Sequence, residues 1–246
     1  MPKIIPSLTI TALLLASPAA VMAGDTPVPV IAAAVADSAR PAEDVARDAQ
    51  RKPAELMTFA GVHEGARIAE LAPGGGYYTR LLSLAVGAEG HVFADSSRPV
   101  PAVEAWATEH PQVSISILKA GDDLASEPVD IVWTTENYHD FKNAKIGESD
   151  AAALYNQAAF RALKPGGVYL INDHAAAADA PADVTSTLHR IAEATVIREV
   201  EAAGFQLAGK SPVLANPEDD HTLKVFDPAI RGKTDQFVLK FVKPES

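Results

Sequence analysis

A doubly wound α/β domain is the fold class this sequence predicts, with a seven-stranded, mainly parallel sheet, helices on both faces and an antiparallel last strand. Three observations predict it. Short β-type runs alternate with helical runs through most of the chain, the pattern of a parallel sheet covered on both sides. A glycine-rich turn, Ala72-Pro73-Gly74-Gly75-Gly76, follows the first of those runs and opens the next helix. Two acidic residues, Asp95 and Asp122, then stand where the second and third strands end. Together they describe a Rossmann-like domain over residues 38–246.

Residues 1–23 read as a secretory signal peptide. Lys3 precedes an uncharged run through Leu13, Leu14 and Leu15 that ends in Val21-Met22-Ala23, with cleavage expected after Ala23. Pro6 and Pro18 interrupt the run, and it falls short of the ~20 apolar residues that span a bilayer. The predicted location is therefore periplasmic or secreted, without stable membrane insertion after processing. Residues 24–37 are Pro- and Ala-rich without a clear period and read as a loose arm, with order beginning near Ser38. Between Ala42 and Phe59 the apolar spacing predicts two short helices separated at Pro53.

The predicted strands are Arg67 to Leu71, His91 to Ala94, Val113 to Leu118, Asp130 to Thr134, Val168 to Asn172, Phe205 to Lys210 and Gln236 to Phe241. The predicted helices are Tyr78 to Leu84, Val103 to Glu109, Ala151 to Leu163 and Val184 to Ala203. The last strand follows a long loop rather than a helix, so it is expected to enter antiparallel.

Composition narrows the function classes. A chain of 246 residues with 48% hydrophobic content supports one well-buried core. The absence of cysteine excludes disulfides, thiolate metal sites and a cysteine nucleophile. A net charge of -11 repels phosphate backbones, so nucleic acid is not the expected partner and a small molecule or a protein is.

The spacing in the glycine turn separates ligand types. A dinucleotide fingerprint places its third glycine where Tyr77 stands, and here three glycines are consecutive instead. Glu70 at the end of the strand, with Gly74, Gly75 and Gly76 after it, resembles the first motif of the class I S-adenosylmethionine-dependent methyltransferases. Ala72 occupies the place of that family's usual first glycine. The resemblance implies S-adenosylmethionine as cofactor, with Glu70 near its amino-acid moiety and the glycines admitting its main body. Asp95 is placed to accept both ribose hydroxyls, and Asp122, in Gly121-Asp122-Asp123-Leu124, matches the acidic residue on the adenine side. Read singly, the turn is a tight loop and the two aspartates are helix N-caps. The runs Arg51 to Glu55, Pro73 to Thr79, Asn137 to Phe141 and Val225 to Lys233 resemble a bacterial family of exported proteins described as predicted methyltransferases, a similarity spanning about Ser38 to Pro244.

Methyl transfer needs an aligned acceptor and, for many acceptors, one base. Residues for this task are expected where the fourth and fifth strands end. His139 and Asp140 follow the fourth strand, and Asp173 and His174 the fifth, so two histidines and two carboxylates are expected to converge there. His139, Asp140 and His174 are the candidate catalytic residues, a histidine serving as general base. No tight metal-ligand spacing such as His-x-x-x-His is present, so no metal site is assigned. Two other readings share this sequence: a non-catalytic exported binding protein for a nucleoside-like metabolite, and a metal-dependent enzyme built on the His139 and His174 region. Arg231, in the long loop before the last strand, is expected to pair with Asp227 or Asp235.

Overall fold

In chain order the elements are α1 (Pro29–Val35), α2 (Ala42–Val45), α3 (Asp48–Arg51), α4 (Pro53–Ala60), β1 (Arg67–Leu71), α5 (Tyr77–Val86), β2 (His91–Ser96), α6 (Pro101–Glu109), β3 (Val113–Ile117), β4 (Val129–Thr135) and α7 (Tyr138–Asn143). A small hairpin of β5 (Lys145–Ile146) and β6 (Ser149–Asp150) follows. The chain then continues through α8 (Ala151–Ala162), β7 (Leu163–His174), α9 (Val184–Thr187), α10 (Glu193–Ala202), β8 (Gln206–Ser211) and β9 (Gln236–Val242). The computed structural model describes residues 28–245, so the expected signal peptide and the first residues of the arm lie outside the described residues. Among those described, no helix is long and apolar enough to cross a membrane.

The main sheet has the order β3-β2-β1-β4-β7-β9-β8. Its first five strands run parallel, and β9 pairs antiparallel with both β7 and β8. The predicted doubly wound sheet and its antiparallel last strand are therefore present. Alternate residues of each central strand serve opposite faces, as strand geometry requires. Ile68, Ile131, Trp133, Leu170 and Val238 enter the core under α1, α4 and α5. Ala69, Val132, Tyr169, Ile171 and Leu239 enter the core under α7, α8 and α10. The strand order reverses between β1 and its two neighbours, β2 and β4. In such a sheet the crevice beyond the carboxyl ends of these strands is where ligands bind.

Three local predictions are corrected. The described part of the arm is ordered: α1 places Ile31 and Ala34, three residues apart on one face, fully into the core against α4 and α5. The segment over Ala42 to Phe59 forms three helices instead of two: the expected break at Pro53 is present, where a left-handed Lys52 ends α3, and a second break at Ala46 and Arg47 separates α2 from α3. The single helix predicted over Val184 to Ala203 is broken into α9 and α10. Arg190 is fully buried between them, donating to the carbonyls of Leu223 and Ala175 and to Asp219. Ile191 donates its backbone N–H to the His174 carbonyl. Tertiary pairing thus outweighs helix propensity across His189 to Ala192.

Candidate functional site

The turn from β1 into α5 carries the predicted motif. Ala72, Gly74 and Gly76 all have positive φ, at 55°, 58° and 83°. Gly76 is needed for two reasons, since a Cβ there would also meet Arg80 Nη1 at 2.8 Å and Val103 Cγ2 at 2.9 Å. Gly74 and Gly75 differ, because a Cβ on either would meet nothing within 4 Å. Gly75 has an ordinary φ as well, so neither backbone strain nor packing accounts for a glycine there. What it leaves is open space at the edge of the sheet.

Two buried carboxylates stand near the carboxyl ends of the two strands beside the turn, β1 and β2. Glu70, near the end of β1, accepts a hydrogen bond of 2.6 Å from Thr79 Oγ1 on α5. Burial pushes its carboxyl up to about 7, against the opposing pull of the Thr79 hydroxyl and the Arg80 charge. Asp95, in register with Leu71 on the neighbouring strand, is only 4% exposed. Its Oδ2 is buried without a hydrogen-bond partner. Burial and then the nearby Glu70 push its carboxyl up to about 8. It does not cap the following helix, whose N-cap is Val100. A buried acceptor with no partner is costly, and a ligand hydroxyl is the group that would satisfy it.

This is the Rossmann-like fold of the S-adenosylmethionine-dependent methyltransferases. Among solved structures, the chain is similar to an S-adenosylmethionine-dependent methyltransferase from Aquifex aeolicus, with 18% identity and a TM-score of 0.55 over 78% of this chain and 88% of that one. It is also similar to Aeropyrum pernix fibrillarin, solved with natively bound S-adenosyl-L-methionine, at 17% identity and a TM-score of 0.53 over 80% and 76% of the two chains. A third similar structure is the 4+2 cyclase SpnF, at 15% identity and a TM-score of 0.59 over 85% of each chain. By sequence, the chain matches no family model and no curated protein. Identity this low establishes the shared fold and leaves the reaction to the site itself.

Asp122 is exposed, and its Oδ2 accepts from the Lys119 backbone N–H at 2.9 Å, closing a turn after β3 rather than capping a helix. Sequence reasoning missed Tyr155 on α8. Its hydroxyl is pushed up by burial and then by the charges of Asp95 and Asp122, so the phenol lies within reach of both fields.

Beyond the ends of β4 and β7 lies a partly open cavity of about 490 Å³, separate from the glycine turn. Tyr78, Glu136, Asn172 and His174 form part of its wall, the link between α2 and α3 contributes Arg47, α3 contributes Arg51, and the long loop contributes Phe226 and Arg231. The helices are held in place by charge. Arg80 on α5 donates to Asp44 at 2.6 Å and to the Gly75 carbonyl at 2.9 Å, while the Tyr77 hydroxyl donates to Asp48 at 2.6 Å. Arg51 lies over the Tyr77 ring and pairs with Glu136, whose other oxygen accepts from Gln236. Arg231 takes no part in the expected pairing. Only its backbone N–H bonds to Asp227, at the carbonyl, while Asp235 pairs with His221, so the Arg231 guanidinium is left at the cavity.

The predicted convergence of histidines occurs. Asp173 is fully buried and accepts three hydrogen bonds: from the His139 backbone N–H, from His139 Nδ1 and from the His174 backbone N–H, each 2.8 Å. Burial would raise the Asp173 carboxyl, but His139 and these donors hold it below the usual carboxylate range. Burial likewise works against a charge on His139, and Asp173 overrides it, so that imidazole is raised. His174 behaves oppositely. Burial lowers it, and its Nδ1 pairs with Thr234 Oγ1 at 2.8 Å. Of the three candidate catalytic residues, His174 lines the cavity, whereas His139 and Asp140 lie beside it. His189 is brought to the same place, its ring edge-on to His139 at 5.4 Å and tilted on Phe226 at 4.9 Å. The helix break that carries it there left no separate signal in the sequence.

Proposed function

We propose that the protein is an S-adenosylmethionine-dependent methyltransferase acting on a small molecule or a protein side chain. The observation that carries this reading is the unpartnered, buried Asp95 Oδ2 beside the open Gly74-Gly75 turn. Asp95 accepts the ribose hydroxyls, Glu70 orders the turn through Thr79, and Gly74 and Gly75 leave room for the ligand's body. Asp122 and Tyr155 bound the adenine side. The bound sulfonium supplies a methyl carbon already activated for in-line displacement.

The chain's own groups hold the acceptor and move its proton. The cavity has the size of a small-molecule site. Arg47, Arg51, Arg231 and Glu136 give it polar walls that orient an acceptor carrying its own charge or hydrogen-bonding groups. His174, kept neutral by burial and held at Nδ1 by Thr234, offers its Nε2 as the general base. His139, fixed by Asp173, acts on the position of His174 through the carboxylate they share.

Export belongs to the same proposal, with cleavage after Ala23 and a periplasmic or secreted mature chain. A charged sulfonium crosses a bilayer poorly, so the cofactor is loaded before export or brought in by a carrier. The mass of the protein recovered from a periplasmic fraction tests cleavage directly, since a chain still beginning at Met1 contradicts it. Calorimetric titration with S-adenosylmethionine and S-adenosylhomocysteine tests the cofactor. Saturable binding supports the reading, and no heat at millimolar ligand removes it.

A further inference from the structure

We propose that His139, Asp140 and His189 form a binding site for one divalent transition-metal ion of the zinc type, beside the acceptor cavity. One ligand atom from each of the three residues lies within 4.8 Å of the others. Asp140 Oδ1 stands 3.5 Å from His139 Nε2 and 3.5 Å from His189 Nδ1. Metal–ligand bonds of about 2.0–2.1 Å in a tetrahedron place neighbouring ligand atoms roughly 3.3 Å apart, so both spacings already suit a shared ion. Only the two imidazoles have to close on each other.

Each ligand atom is available. His189 Nδ1 is buried with no hydrogen-bond partner, an arrangement that leaves a polar nitrogen unsatisfied unless something binds it. His139 Nδ1 is bound to Asp173, which turns Nε2 toward Asp140 and fixes the tautomer that presents a lone pair there. A carboxylate behind a histidine ligand is the usual outer support of a bound ion, and it raises the ligand's basicity. Asp140, on the first turn of α7, is half exposed and leaves the remaining coordination positions open to water or a ligand. Asp173, Asp140 and Glu136 bear on His139, and Lys224 is the opposing cation at His189, so negative charge predominates. Two imidazoles and one carboxylate with open positions suit zinc or a neighbouring first-row ion. His174 is not a member of the cluster; it faces the acceptor cavity instead.

The site stands independently of the cofactor reading, and its test needs no turnover. The chelator-treated full chain is titrated with cobalt(II) and followed by visible absorption, and zinc is then added in competition. One equivalent of cobalt giving d–d bands of a low-coordinate site, discharged by zinc, is expected. His189→Ala and Asp140→Ala, each checked by circular dichroism for an intact fold, should abolish the bands. Asp173→Asn should weaken binding about 10- to 100-fold. No bands in the parent chain, or bands that survive both ligand substitutions, overturn the proposal.

Discussion

Replacing Asp95 with Asn should move stability and cofactor binding in opposite directions. In the free protein the Asp95 carboxyl sits at about 8, with Oδ2 unpartnered and Glu70 nearby. A group raised on folding contributes stability that is fully present below its unfolded value and lost as the pH climbs through the folded one. The parent chain should therefore lose stability between about pH 4 and pH 8 from this residue. An amide carries no charge to bury. An unpartnered buried group costs more when it is ionised, and the amide, equally unpartnered, is never ionised, so Asp95→Asn should gain about 2–3 kcal/mol at pH 8. For a chain of this length that corresponds to a melting temperature about 5–10 °C higher. Binding of S-adenosylmethionine should suffer, because two hydroxyl-to-carboxylate hydrogen bonds of about 1.5–3 kcal/mol each are replaced by weaker neutral contacts. Affinity should fall by roughly 100-fold or more. Calorimetry supplies both quantities, by scanning at pH 5 and pH 8 and by titration at pH 8. A variant that melts lower than its parent at pH 8, or that binds the cofactor equally well, would refute the reasoning.

Four further substitutions probe the same framework. Ala72→Gly relieves a left-handed alanine and should stabilise by about 1 kcal/mol, measured as a higher denaturant midpoint; a lower midpoint contradicts the turn geometry. Gly75→Ala should leave the melting temperature nearly unchanged while weakening cofactor binding, whereas Gly76→Ala should lower the melting temperature, with a cost of about 1–3 kcal/mol from its positive φ and its overlap with Arg80 and Val103. Equal melting temperatures for the two variants would show that the space at Gly75 is not as described. Arg190→Ala should destabilise by about 3–5 kcal/mol in urea unfolding, because it strands Asp219 in the interior without its partner; a loss below 1 kcal/mol would place that pair at the surface.

Strand positions were legible because alternation and turn residues are local properties. The strand over Arg67 to Leu71 has the predicted ends, most of the others differ by one or two residues, and Leu163–His174 is longer by more because pairing extends it along β4 and β9. The helix break at His189 was not legible. It follows from a guanidinium that finds Asp219, Leu223 and Ala175 only after the long loop has folded back. Arg231 was misread for a related reason, since short sequence separation from Asp227 and Asp235 says nothing about which carboxylates are already engaged.

Sequence alone determined the succession of strands and helices along the chain and the motif from Glu70 through the glycines to Asp95. Those depend on residue type and spacing along one stretch of chain. Tertiary structure decided which of these groups remain unpartnered, that Gly75 faces open space while Gly76 is packed, and that His174 reaches the cavity while His139, Asp140 and His189 gather beside it. These are properties of burial and of hydrogen bonds closed across distant segments, and such bonds exist only once the whole chain has folded.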